Sequence, residues 1–419
     1  MKNKSNDKRS LIENFLSLSV LQGVNMVLPL ITLPYLVRVL GIENFGLVNF
    51  SLSIIGYFNI LVSFGFELSA TKEISINRDN KQKVSEIFSA VTCIKTGMFI
   101  LSFIILTILI FSIDVMNENL LLYYTTFGIV LGNILFPAWF FQGVEKMKYI
   151  TIITVITRIL FTIFIFVLVR DKGDFIFVPL LNSIGAILGG IIALRIIFKT
   201  YSIKLYIPKK NVIFHQLKDS YYYFISRVAN NGSRYFATTI IGAYFGNTLV
   251  GYYTLVEKLF YAFTTIGGLV SQTIYPYMSR TKDLKFLKKI LLLAITFALP
   301  ILLVLMYFNK FFLMLVFDVE NDMVSNIFLI VFSGALFSIV SSIIGYPFLA
   351  AFGYPKYANN SLIYSSLIYL TYILIAVLIT NNIYYVSFSI VVYMMSGLLF
   401  RMYFIKKTKL LESKTHELK

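Results

Sequence analysis

The chain has 419 residues, of which 58% are hydrophobic and 14% charged, and it carries a formal net charge of +17. Soluble domains carry about 25% charged residues, so this composition excludes a water-soluble fold and leaves a multi-spanning membrane protein. Cys93 is the single cysteine and His215 and His416 are the two histidines, which excludes an intrachain disulfide and a Cys/His metal centre. No cofactor and no metal is expected.

A membrane span needs about 20 mostly apolar residues. The apolar runs place helices at 12–36, 46–66, 87–110, 119–142, 150–169, 175–197, 220–242, 249–275, 287–308, 323–345, 358–380 and 383–404. The expected fold class is all-α, with about twelve transmembrane helices. The basic start, Met1 to Ser10, runs into an apolar segment too long for a cleaved signal and reads as a retained first helix.

Charge placement orients the spans. Alternate loops hold most of the Lys and Arg, from Lys2, Lys4, Lys8 and Arg9 at the start to the tail beyond Arg401, which reads as a solvated charged end. The opposite loops hold only Arg38, Arg170, Lys172 and Lys310, together with acids such as Glu43, Asp114, Asp171 and Asp318. The positive-inside rule then puts both termini in the cytoplasm. Membrane topology also explains the cations better than nucleic acid does, and no nucleic-acid partner is expected. The outer loops are too short to fold as a catalytic domain, which argues against the rival reading of a membrane-embedded enzyme. No nucleophile elbow or phosphate-binding glycine loop is present.

Gly41-Ile-Glu-Asn-Phe-Gly46 joins the first two helices, and Gly246-Asn-Thr-Leu-Val-Gly251 joins the seventh and eighth. The matched corners lie almost half a chain apart. They predict two six-helix bundles, 1–205 and 206–419, related by a pseudo-twofold along the membrane normal, with substrate held between them.

Polar residues inside the spans are the candidate site. Gln22 and Asn25 lie in helix one, Lys95 in helix three and Arg158 in helix five. Helix seven carries Arg227, Asn231 and Arg234, and helix eight carries Glu257 and Lys258. A cation at a helix centre costs roughly 2.5–3.5 kcal/mol if it faces lipid, so these groups must face protein or water. Arg227 and Arg234, seven residues apart, share a helix face. The competing reading for either is an ion pair with Glu257, which is also a candidate for carrying a coupling proton. Arg195 sits near a helix end, where it can snorkel, and Trp139-Phe140-Phe141 reads as an interfacial anchor.

Several stretches resemble a known family. These are Leu33-Pro-Tyr-Leu-Val-Arg-Val-Leu-Gly41, Phe45-Gly46, Phe64-Gly-Phe-Glu-Leu-Ser-Ala-Thr-Lys72 and Phe136-Pro-Ala-Trp-Phe-Phe-Gln-Gly-Val-Glu-Lys-Met-Lys-Tyr149, with Glu257-Lys258 and Tyr275-Pro-Tyr-Met-Ser-Arg280. They are similar to the Wzx-type polysaccharide flippases of the multidrug/oligosaccharidyl-lipid/polysaccharide exporter superfamily. The resemblance covers the first 280 residues clearly and the remainder by topology. It implies a flippase of the bacterial inner membrane that moves undecaprenyl-pyrophosphate-linked oligosaccharide to the periplasmic leaflet, for O-antigen or another surface polysaccharide. Arg227, Arg234, Lys258, Arg158 and Lys95 would then attract the pyrophosphate, and Gln22, Asn25 and Asn231 would bind sugar hydroxyls. A polysaccharide polymerase and a chain-length regulator are candidate partners. The rival within the fold, a multidrug exporter of cations, would want acids where this chain has cations.

Overall fold

The computed structural model describes residues 2–228, 232–408 and 410, and its described residues are helical almost throughout. Compactness divides the chain into residues 1–235 and 236–419.

The first unit opens with α1 (Lys2–Ser63) and continues through α2 (Phe66–Asn77), α3 (Lys81–Ser112), the short α4 (Asp114–Asn117), α5 (Leu120–Leu135), α6 (Ala138–Gly143), α7 (Met147–Leu168), α8 (Phe177–Thr200) and α9 (Lys210–Arg227). The second unit takes up α10 (Ser233–Phe245) from Phe236 onward. It then holds α11 (Asn247–Thr281), α12 (Leu284–Tyr307), α13 (Asn309–Phe317), α14 (Asp322–Phe332), α15 (Ala335–Ile344), α16 (Pro355–Thr380) and α17 (Ile383–Lys407), with a π-helical turn at Gly345–Ala350.

Nine stretches among the described residues are helical, long and apolar enough to cross a bilayer. The first, Ser19–Asn77, has 59 residues, about three bilayer thicknesses at 1.5 Å per residue. It turns at Gly41, whose φ of 74° and ψ of 164° are closed to residues with a Cβ. Read as two spans, that stretch brings the nine to ten of the twelve expected helices. The remaining two expectations, 220–242 and 249–275, coincide with more polar helices: α9 followed by α10, and α11.

Gly246, which caps α11, has φ 84° and ψ 174°. The two glycines picked out as repeat corners therefore share one uncommon backbone conformation. The first corner is also fixed by contact: Asn44 Nδ2 donates to the Lys172 carbonyl at 2.9 Å, and the Lys172 side chain lies over Gly41.

Small residues let helices approach where no hydrophobic drive separates protein from lipid. Gly128 and Gly132 on α5 face Ser183 and Ala186 on α8, while Gly190 on α8 faces Leu135. A side chain at any of these three glycines would collide with the partner helix. The core of the first unit lies beside this contact. Phe66, Ala70 and Ile74 of α2 meet Ile87, Phe88 and Val91 of α3 around Trp139, Phe140 and Phe141. Trp139 is only 2% exposed, so the Trp-Phe-Phe segment is a core wedge rather than the expected interfacial anchor. The reason is local: α6 is a short helix starting after Pro137, Thr71 Oγ1 donates to the Trp139 carbonyl at 3.1 Å, and Gly143 presses on Ile74.

α9 packs on the first unit through three polar contacts with α2. The Ser69 and Ser220 hydroxyls are hydrogen-bonded at 2.7 Å, Gln216 donates to Glu73, and Arg227 pairs with Glu67. Phe64 stacks on Phe224 with ring centroids 4.6 Å apart. These contacts explain why the compact division falls after α9, while the halves 1–205 and 206–419 remain a proposal about internal duplication.

In the second unit, Gly267 of α11 lies against Ile339 of α15, and Phe328 stacks on Phe332 at 4.0 Å. Arg401, inside the last expected helix and counted with the basic alternate-loop cations, is only 6% exposed. Its Nε donates to Ser361 Oγ at 3.1 Å and its Nη1 to Ser341 Oγ at 2.8 Å and to the Ser341 carbonyl, and it lies flat against Gly345. Three oxygens and a missing side chain make the space and the acceptors that a buried guanidinium needs.

Candidate functional site

α1 and α7 together present the first part of the site. Thr151 Oγ1 donates to the Ser17 carbonyl at 2.8 Å, and further along the same pair of helices Arg158 Nη1 donates to Asn25 Oδ1 at 2.6 Å. Arg158 and Asn25 are both exposed, as is Gln22, one turn earlier on α1. Three of the predicted residues thus share one open face of two otherwise apolar spans. A charge-assisted hydrogen bond to the amide oxygen holds the guanidinium in place and leaves its other donors for an anion.

Lys95 is a different case. It is 4% exposed, and its Nζ donates to the Asn133 carbonyl at 3.1 Å, while Asn133 Nδ2 donates to Asn59 Oδ1 at 2.8 Å. That network joins α1, α3 and α5 inside the first unit, near where α5 ends before Phe136. Lys95 is therefore not on the open face with Arg158.

Arg227 lies in the last turn of α9, half-buried, and its partner is Glu67 of α2. The sequence offered Glu257 as the acid for such a pair; the fold supplies Glu67, because α9 runs along α2. Arg234, at the start of α10, is exposed. Asn231 lies outside the described residues. On α11, Glu257 is half-buried and Lys258 exposed. The structure brings together Arg158, Asn25 and Gln22, and separately Arg227 and Glu67.

Some residues in the same helices escaped the sequence reading. Asn14 is buried, donates to the Glu145 carbonyl at 3.0 Å and accepts from the Met147 amide at 3.1 Å. It clamps α1 to the turn between α6 and α7, where Glu145 has φ 57°. Ser85 and Ser89, one turn apart on α3, bind the backbone of residues 204 and 206. A serine spaced four from another on a span entrance was the one signal available, and by itself it says nothing of its partner.

The sequence matches the family described as "Polysaccharide biosynthesis protein" over residues 11–282. The chain belongs to that family. The matched region of this polysaccharide biosynthesis protein is the part that carries the flippase-like motifs. A relative from Escherichia coli (strain K12), described as "Putative O-antigen transporter", is 32% identical over 287 residues, covering 68% of this chain and 69% of the relative. The fold resembles the lipid II flippase MurJ in an inward closed conformation, with a TM-score of 0.73, 14% identity and coverage of 93% of this chain and 87% of the other. It also resembles an inward-facing multidrug resistance MATE family transporter of the MOP superfamily, with a TM-score of 0.63, 15% identity and coverage of 96% and 99%. These two likenesses give the family member the all-helical fold of those two proteins.

Proposed function

We propose that this polysaccharide biosynthesis protein is a flippase for lipid-linked oligosaccharide, and that its substrate is carried on undecaprenyl pyrophosphate. The observation that carries the reading is the open Arg158–Asn25 pair. An exposed arginine within an apolar span is costly against lipid and favourable against a wet, anionic load. A guanidinium fits phosphate oxygens with forked donors, and an amide suits sugar hydroxyls. The relative described as an O-antigen transporter agrees with a glycan cargo.

In this reading Arg158, Arg234 and Lys258 attract the pyrophosphate in the cytoplasmic leaflet, with Arg227 adding to the positive field beside Glu67. Gln22, Asn25 and Asn231 bind the glycan, and the prenyl tail stays in lipid. Twelve spans arranged as two halves alternate between inward and outward access, in the bacterial inner membrane with both termini cytoplasmic. A membrane potential negative inside favours outward movement of an anionic headgroup. Glu257 is the candidate for a coupling ion, and a polymerase and a chain-length regulator would receive the product. A cation exporter would need acids on the open face, where Arg158 lies instead.

The test is surface polysaccharide in cells whose only copy carries Arg234→Ala or Arg158→Ala. Loss of polysaccharide with near-normal protein level supports the site. Wild-type polysaccharide in both variants removes it.

A further inference from the structure

The segment between α8 and α9 runs without helix, and it docks on α3 by its backbone. The Lys204 amide donates to Ser85 Oγ at 3.2 Å and the Tyr206 amide to Ser89 Oγ at 2.9 Å, while Ser89 Oγ also reaches the Lys204 carbonyl at 3.4 Å. Ile203 is buried in the core of the first unit. Because the strap is held by its amide edge, the side chains that follow are left exposed. Ile207 is 98% exposed, and Leu205 and Tyr206 are exposed beside it. α9 continues the pattern. Its inner stripe, Gln216, Ser220 and Arg227, faces α2, while its outer stripe presents Phe214 at 70% and Tyr222 at 80% exposure.

Lys204, Lys209, Lys210 and Lys218 are exposed among these apolar and aromatic residues. The acid on the same outer surface is Asp219, which lies 3.7 Å from His215. An isoleucine fully free of its own protein, flanked by lysines, fits neither water nor a protein core. It fits the boundary where acyl chains meet anionic headgroups, with aromatic rings at headgroup level and lysine ammoniums at the phosphates. A cluster of four to eight basic residues beside a span attracts acidic lipid.

We propose that residues 204–222 form a docking surface for anionic phospholipid, with the Ser85/Ser89 strap holding Leu205, Tyr206 and Ile207 toward the bilayer and the four lysines on the lipid phosphates. The surface lies within the first unit and does not depend on which glycan is carried.

The native chain has one tryptophan, the buried Trp139, so Ile207→Trp adds a single exposed reporter. The full chain carrying Ile207→Trp is reconstituted into phosphatidylcholine bilayers containing brominated phosphatidylglycerol or, in a second arm, the same fraction of brominated phosphatidylcholine. Brominated phosphatidylglycerol is expected to quench the added fluorescence at least twofold more strongly. Adding Lys204→Gln, Lys209→Gln, Lys210→Gln and Lys218→Gln removes that preference while quenching by brominated phosphatidylcholine persists, which also shows that the variant is still inserted. Equal quenching by both lipids without the lysine changes, or no quenching by either, overturns the proposal. Ser85→Ala/Ser89→Ala provides a second variant with all lysines kept: it is expected to weaken quenching by both lipids, and unchanged quenching overturns the strap's part.

Discussion

The hydroxyls of Ser69 on α2 and Ser220 on α9 lie 2.7 Å apart, both fully or nearly buried. On one side of them Glu73 meets Gln216, and on the other Glu67 meets Arg227. Polar rungs of this kind average about 0.6 kcal/mol in membrane bundles and reach about 1.7. Ser69→Ala alone leaves Ser220 short of a partner, whereas Ser69→Ala/Ser220→Ala removes both groups. The double variant should therefore lose less stability than the sum of the singles. Thermal unfolding in detergent checks this, and strict additivity would remove the rung.

Arg227 and Glu67 should behave more strongly. Arg227→Ala leaves a half-buried carboxylate without its partner, at about 1–3 kcal/mol, between the values for exposed and buried pairs. Glu67→Gln/Arg227→Gln should recover part of that loss. If transport falls in Arg227→Ala but is restored with the double variant, the pair matters for helix placement. If it stays lost, Arg227 also meets substrate.

Gly41 and Gly246 adopt φ 74°, ψ 164° and φ 84°, ψ 174°. Alanine in this region costs about 1–3 kcal/mol through backbone strain alone. Neither site adds a clash: nothing lies within 4 Å of a Cβ at Gly246, and Lys172 stands at an ordinary 3.5 Å at Gly41. Gly41→Ala and Gly246→Ala should thus destabilise by similar amounts in thermal unfolding.

Arg401 offers a sharper comparison. Lysine keeps the buried charge but cannot reproduce the fork that spans Ser341 and Ser361, and should cost about 1.5–3 kcal/mol. Methionine removes the charge and fills much of the volume, and should cost less. Ser361 keeps another acceptor, since its Oγ also donates to the Ala358 carbonyl at 2.7 Å. A lower melting temperature for Arg401→Met than for Arg401→Lys would contradict the account.

Most span positions, and the shared conformation of Gly41 and Gly246, were legible because hydrophobic length and turn geometry are local properties. The polar residues in the spans were legible too, since Arg158 and Asn25 both stand out against apolar neighbours. Their bond was not, because 133 residues separate them and only packing of α7 on α1 brings them together. Arg227 was matched in sequence with a plausible acid, Glu257, while the chain folds α9 onto Glu67. Trp139 was read as an aromatic anchor and Arg401 was counted with the loop cations, but a proline break before α6 and a glycine at 345 opened interior space for each. Such space depends on neighbours far away in the chain.

The most direct test is translocation in proteoliposomes holding the purified protein and a fluorescent oligosaccharide on prenyl pyrophosphate, read by protection from a membrane-impermeant quencher. The account predicts time-dependent exchange between leaflets with the wild-type chain, near-background exchange with Arg158→Ala or Arg234→Ala, and none when a neutral linkage replaces the pyrophosphate. Exchange at the rate of empty liposomes, or equal exchange of the neutral-linked lipid, would contradict it.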